Sequence, residues 1–478
     1  MNDLWLNEKE IKKIHCASID ILERIGIKLL HDELLRYVAG FEGIKIDVKN
    51  KIVRFQPDII EDSIKNAGKS FKVYGRDKKR SAGFGFGQII TSSSWGMQFK
   101  IDVERNEKIP ASIDDLRDSA LVCDYLDNIN IVGAMFRPNE VPHYYRDVFE
   151  YGQTIKQTTK PVGVYITNGN TFDYIIEIYK LFLDSEKDIA KYPPFFYEFE
   201  NISPLVFQHD GVDILYRCAK LGIPVSSAPI PQPMTTGPVT IAGCLALGNA
   251  ELLASIVLTQ LITSGLPFLY ALMCNVPDPF TLIATFAGAP ENVLLSIGQA
   301  QLATYYGFPI FLDNQITCSN QIDYQMGVEF GMNSLIGLIF NADLYGHVGI
   351  VGADQGASIV KLIIDEETIS YIKRIKGFFK VSDETLAFDV IKNVGISGNF
   401  LLEDHTVKYM KSEYWIPKIF NRDSYIVWKK KGEKTLIERA VQRKNFILKK
   451  HQLEPFDEHI EREIDTTIEI AKKNLSNK

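Results

Sequence analysis

Residues 223–272 read IPVSSAPIPQPMTTGPVTIAGCLALGNAELLASIVLTQLITSGLPFLYAL, a stretch that parses as strand, loop, helix, strand. Gly237 followed by Pro238 predicts a helix start, because a proline at the first helical position lacks an N–H that would have no partner there anyway. Gly265 predicts the stop. The helix between them is apolar enough to raise the question of a membrane span, but Asn249, Glu251 and Gln260 interrupt it and the strand LPFLYAL follows almost at once. It therefore reads as a buried crossover between two parallel strands. Its small residues (Ala242, Gly243, Ala246, Gly248, Ala250 and Ala254) suit close approach to a sheet.

Outward from this unit the same alternation recurs. Apolar strands are predicted at 88–93, 130–135, 162–166, 195–199, 224–228, 268–272, 309–313 and 343–347, eight in all, with helix-period segments between them. Eight strands alternating with helices predict an α/β fold of the (β/α)8 TIM-barrel type rather than an open doubly wound sheet. The insertion WGMQFKIDVERNEKIP after the first strand alternates around a polar turn and predicts a hairpin over the barrel mouth. Residues 1–80 read as an N-terminal helical and small-strand cap, 81–416 as the barrel and 417–478 as a charged helical C-terminal extension.

The length of 478 residues would accommodate two or three domains, yet such barrels often run as one unit with insertions. A 46% hydrophobic content and a net charge of −7 describe an ordinary globular protein and point to neither a nucleic-acid nor a membrane partner. The N-terminal MNDLWLNEKEIKKIHCASIDILERIG carries charges throughout, with no cleavable apolar core, so a cytoplasmic location is expected. The six cysteines are scattered without CxxC spacing, which argues against disulfides and structural zinc. Cys274 and Cys318 follow predicted strands and read as small apolar fillers.

In a barrel the active site is built just past the C-terminal ends of the strands. That position holds Trp95, Phe136, Arg137, Tyr165, Tyr197, Glu198, Phe199, Glu200, Asp313, His347 and Gly349. The set is poor in metal ligands, with one histidine and no HxH or HxxxH, so no metal site is expected; no GxSxG elbow occurs either. Its aromatic faces are the usual receptors for quaternary ammonium groups, although rings at strand ends also fill barrel cores and the sequence does not fix which parity points inward. Glu198 and Asp313 stand out because a carboxylate near a barrel axis is unfavourable unless paired or functional. His347 ends the eighth strand in GHVGIVGADQG, with glycines on both sides that would let a large flat ligand approach.

Seven segments, in order, carry a family resemblance: KEIKKIHCASIDILERIGI, KSFKVYGRD, NISPLVF, GPVTIAGCLALGNAELLA, DYQMGVEF, DETLAFDVI and EYWIPKIFNRDSY. In them the chain resembles the trimethylamine methyltransferase family, in the branch without pyrrolysine. The resemblance implies a (β/α)8 barrel that moves a methyl group from a methylated amine to the cobalt of a corrinoid. That cobalamin-type cofactor would be carried by a separate cognate corrinoid protein, with none bound tightly by this chain. The region matching the pyrrolysine position is TCSNQID, near Asn320, and holds only standard residues. After the histidine the chain has GADQGAS where the family pattern implies an acidic residue and paired glycines.

A quaternary ammonium releases a neutral tertiary amine that needs no proton, so it can give up a methyl group without the activation a tertiary amine requires. The expected substrate is thus glycine betaine or a related betaine, held among Trp95, Phe136, Tyr165, Tyr197 and Phe199, with Arg137 or main-chain N–H groups taking its carboxylate. Glu198, Asp313 and His347 are the expected catalytic residues, with Asn320, His347 and Gly349 facing the corrinoid. Carnitine, γ-butyrobetaine and proline betaine fit the same sequence. So does a barrel that binds or senses quaternary amines without turning them over. A homo-oligomer is expected from the charged helical tail.

Overall fold

The computed structural model describes residues 5–273, 275–285, 288–312, 315–455 and 457–476. Each of the eight predicted strand segments overlaps an observed strand: β1 (Ile90–Ser93), β2 (Val132–Gly133), β3 (Val162–Gly163), β4 (Tyr197–Phe199), β5 (Val225–Ser227), β6 (Phe268–Tyr270), β7 (Phe311–Leu312) and β8 (Leu344–Val348). Each is followed by a helix: α1 (Ile113–Tyr125), α2 (Arg146–Lys156), α3 (Gly169–Lys180), α4 (His209–Leu221), α5 (Ile241–Ile262), α6 (Pro290–Tyr306), α7 (Tyr324–Ile339) and α8 (Ile359–Lys376). The fold is α/β.

Neighbouring strands pair in parallel and in chain order. β1 meets β2 through the bridge Ser92–Ile131, β2 pairs β3, β4 pairs β5, β5 pairs β6, β6 meets β7 through Tyr270–Ile310, and β7 pairs β8. β8 then returns to β1, with Leu344 opposite Ile90 and Tyr345 opposite Thr91. An open doubly wound sheet would not bring its last strand back to its first. The ring is nevertheless not closed by hydrogen bonds: among the described residues no strand pairing joins β3 to β4. The chain diverges there, and the cavity described below lies between the two strands.

The three polar residues that interrupt α5 tie it to its surroundings. Asn249 Nδ2 donates to Ser18 Oγ and Tyr306 Oη, both at 2.9 Å, and its Oδ1 accepts from the Tyr270 hydroxyl at 2.8 Å. Glu251 accepts from Ser203 Oγ at 2.7 Å and the Leu205 N–H at 2.5 Å, while Gln260 bonds both Gly265 and Leu266. Leu252, Leu253, Ile256 and Val257 are fully buried around them, each side chain contributing about 1.5–3 kcal/mol of burial. Long and apolar enough to cross a bilayer, the helix is instead enclosed by protein. It begins at Ile241 rather than Pro238, because Thr235, Thr236 and Gly237 first fold back on the Gln232 carbonyl.

Around the strands pack the terminal segments. Helix Glu8–Arg24 lies on α5, and strands Ile27–Leu29, Ile52–Phe55 and Ile44–Asp47 form a small sheet that Val206–Phe207 joins in parallel. The predicted hairpin forms, with Phe99–Asp102 antiparallel to Glu107–Pro110. Near the C-terminus, Leu436–Lys450 buries Ala440 and Ile447 against α8 and α1. Glu458–Leu475 buries Ile464, Ile468, Ala471 and Leu475 against α2 and α3. Their charges face outward, so these are amphipathic helices laid on the protein's own surface.

Candidate active site

Two irregularities in β8 set the position of His347. Tyr345 lies opposite Thr91 and Val348 opposite Ser93, so Gly346 and His347 together face the single residue Ser92, a β-bulge. His347 adopts a left-handed φ of 62°, unusual for a non-glycine residue. Gly346 leaves room for Phe311, whose ring would lie 2.4 Å from a Cβ there. The bulge delivers the half-buried His347 imidazole edge-on to Trp95, with centroids 5.1 Å apart at 83°, and to Phe311, 5.8 Å apart at 86°.

The turn after the bulge is anchored from below. The Gly349 N–H donates to Asp365 Oδ2 at 2.9 Å, and Lys361 Nζ donates to the same oxygen at 2.5 Å. Burial pushes the Asp365 carboxyl up to about 6 even with the lysine beside it, and the same burial lowers Lys361. Gly349 is thus buried over Leu362 and Met135, not placed on the rim as expected. Asn320 is exposed.

Between β3 and β4 opens a cavity of about 270 Å³, near the lower end of small-molecule sites at roughly 300–1,000 Å³. Trp95, Tyr165, Tyr197, Glu198 and Glu200 line it together. Gly163 determines where the indole sits: a Cβ there would come within 2.6 Å of the Trp95 ring, so only a glycine lets the ring lie on the strand. Tyr165 is 41% exposed and its hydroxyl reaches Glu200 Oε2 at 3.4 Å; the carboxylate's charge, together with burial, holds the phenol protonated. Tyr197 is buried and donates to the Gly211 carbonyl at 3.3 Å. Rings beside carboxylates form a receptor for a cation.

Three expected residues sit elsewhere. Phe136 is fully buried in the apolar cluster with Met135 and Leu362, and Phe199 is fully buried with its ring centroid 5.2 Å from that of Phe207. Neither lines the cavity. Arg137 stands near it, its guanidinium carbon 5.8 Å from the Tyr165 ring centroid, but Nη2 is bound to Asp147 at 2.6 Å and Nε to Glu150 at 3.1 Å. Both carboxylates are fully buried, so this guanidinium is already neutralised rather than held ready for a substrate carboxylate. Asp313 lies outside the described residues, as does Cys274. Glu200, a strand-end residue, lines the cavity, as do Gly163 and Asp210, which the strand-end positions do not include; for Gly163 a glycine inside a strand is the available signal.

Comparison with known proteins supplies the family. The family model for trimethylamine methyltransferase (MTTB) matches residues 4–476. A trimethylamine methyltransferase of Desulfitobacterium hafniense is 27% identical, covering 97% of this chain and 93% of its own. One from Methanosarcina thermophila is 28% identical over 96% and 95%, and a glycine betaine methyltransferase of Desulfitobacterium hafniense is 27% identical over 98% and 97%. A solved monomethylamine methyltransferase of Methanosarcina barkeri superposes with a TM-score of 0.45 at 11% identity, over 98% of this chain and 94% of that one. Matched over residues 4–476 by one family model and over nearly all of their own length by methyltransferases, this methyl-transferring enzyme belongs to the trimethylamine methyltransferase family.

Proposed function

We propose that the enzyme takes a methyl group from a quaternary amine and passes it to Co(I) of a corrinoid carried by a separate protein. The observation that carries this reading is the cavity where Trp95, Tyr165 and Tyr197 converge with Glu198 and Glu200. In the transfer the methyl carbon's bond to nitrogen breaks, its electron pair stays on the departing tertiary amine, and the acceptor supplies the pair for the new bond. No proton is needed. The nitrogen therefore loses its positive charge as the reaction proceeds, and the chain's task is to bind the cation, orient one methyl group outward and exclude water. The glycine betaine methyltransferase among the relatives supports a quaternary donor.

Within this reading His347, presented by the bulge between Trp95 and Phe311, is the positioning residue at the mouth. Glu198 stabilises the cation, and the exposed Asn320 belongs to the surface that meets the corrinoid protein. The scaffold is read as a (β/α)8 barrel opened at the β3–β4 junction. Its support is the parallel order of the eight strands and the return of β8 to β1.

We also read the protein as a homo-oligomer. Between α8 and Leu436–Lys450 lie four short helices that bury no residue, and Phe388, Ile396, Leu402, Val407 and Ile416 are exposed there. Apolar surface this extensive marks an interface. It supports the reading better than the charged tail, which packs on its own chain.

Anaerobic mixing of the enzyme with a Co(I) corrinoid protein and a panel of quaternary amines tests the function. Methylation of the cobalt, followed by absorbance, is expected with at least one amine; no transfer from any of them overturns the reading.

A further inference from the structure

The charged residues lining the cavity are Glu198, Glu200 and Asp210, and among its described lining residues there is no lysine, arginine or histidine. The nearby guanidinium of Arg137 has both Nε and Nη2 committed, to two carboxylates that no solvent reaches. Freeing it for a ligand would strand Asp147 and Glu150 in the protein interior.

One main-chain donor beside the cavity is already taken. The Thr167 N–H, at the end of the β3 segment, is held by Asp147 Oδ2 at 2.8 Å. The first turn of α4 borders the cavity without a side-chain cap, yet it brings a third carboxylate, Asp210, and the Gln208 side-chain amide donates to the Glu200 carbonyl at 2.5 Å. A ligand carboxylate here would meet three like charges and no cationic side chain in the lining, whereas a trimethylammonium group meets rings and carboxylates.

We propose that the quaternary ammonium bound by this site carries no carboxylate: its tail is neutral, an alcohol or a plain alkyl group. The inference rests on the reading of the cavity as a quaternary-ammonium site, and narrows it away from betaines.

Calorimetric titration of the full chain with choline, tetramethylammonium and glycine betaine, at one pH and ionic strength, separates the two ideas. Choline and tetramethylammonium are expected to bind at least tenfold more tightly than glycine betaine. Glycine betaine binding as tightly or more tightly overturns the carboxylate-free proposal while leaving the quaternary-ammonium reading intact. Failure of all three to bind at millimolar concentration overturns that reading and the proposal with it. Glu200→Gln supplies an independent check. It should weaken choline several-fold and narrow the preference over glycine betaine, and an unchanged preference would refute the electrostatic basis.

Discussion

The indole of Trp95 and the imidazole of His347 meet edge to face, 5.1 Å apart at 83°. They are neighbours because β8 pairs with β1, and they touch at this angle because two residues of β8 face one of β1. The contact places an aromatic wall of the cavity directly against the imidazole.

Gly163→Ala tests the Trp95 face. The added methyl would fall 2.6 Å from the indole, which must move. Overpacking of this kind destabilises by about 1–3 kcal/mol. Affinity for a quaternary ammonium is expected to fall at least tenfold, whereas thermal melts still report a folded protein. Unchanged affinity would remove Trp95 from the receptor.

His347→Gly separates the ring from the backbone that presents it. A glycine relieves the left-handed φ, roughly 1–2 kcal/mol, and forfeits two ring contacts at about 0.5–1.5 kcal/mol each. These nearly cancel, so urea melts should move by no more than about 2 kcal/mol, while methyl transfer to the corrinoid protein drops at least tenfold. Retained transfer would show that the imidazole is dispensable.

Glu150 gives the enzyme a pH-dependent stability. Burial pushes its carboxyl up from 4.5 to about 8, because the one charge of Arg137 is already met by Asp147 at 2.6 Å. Between those two values the folded state holds more proton than the unfolded state, so the contribution is complete below the lower value and lost as pH rises through the higher one. The melting temperature of the wild type should fall from pH 5 to pH 8.5 more steeply than that of Glu150→Gln. Parallel profiles would show that Glu150 titrates normally.

The exposed apolar segment before the C-terminal helices predicts assembly. Ile396 and Leu402 contribute nothing to the chain's own core, Leu402 being 91% exposed, so Ile396→Asp and Leu402→Asp should leave the melting of the monomer unit unaltered. Light scattering is expected to give a multiple of the chain mass for the wild type and a smaller species for the double variant. A monomeric wild type would rule out the oligomer.

Much of the scaffold was legible because strands and helices announce themselves locally. Short apolar runs separated by helix-period segments gave all eight strand positions, and the polar residues of α5 distinguished a buried helix from a membrane span. The site was legible only in outline. Tyr197 and Phe199 lie two residues apart on one strand, yet Tyr197 lines the cavity and Phe199 is packed under Phe207 and Gly211. Nothing in their spacing distinguishes them. Arg137 looked like a carboxylate receptor because its partners on α2 become visible only once that helix folds back against the strand end.

By itself, then, the sequence determined the order of strands and helices, the family, and the presence of rings and acids at strand ends, since these depend on local periodicity and residue type. Tertiary structure alone decided which rings face a common space, which cation is spent on buried carboxylates and where His347 points. Those outcomes depend on register between β8 and β1 and on the divergence of β3 from β4, and strand register is set by pairing across the fold rather than by any neighbouring residue.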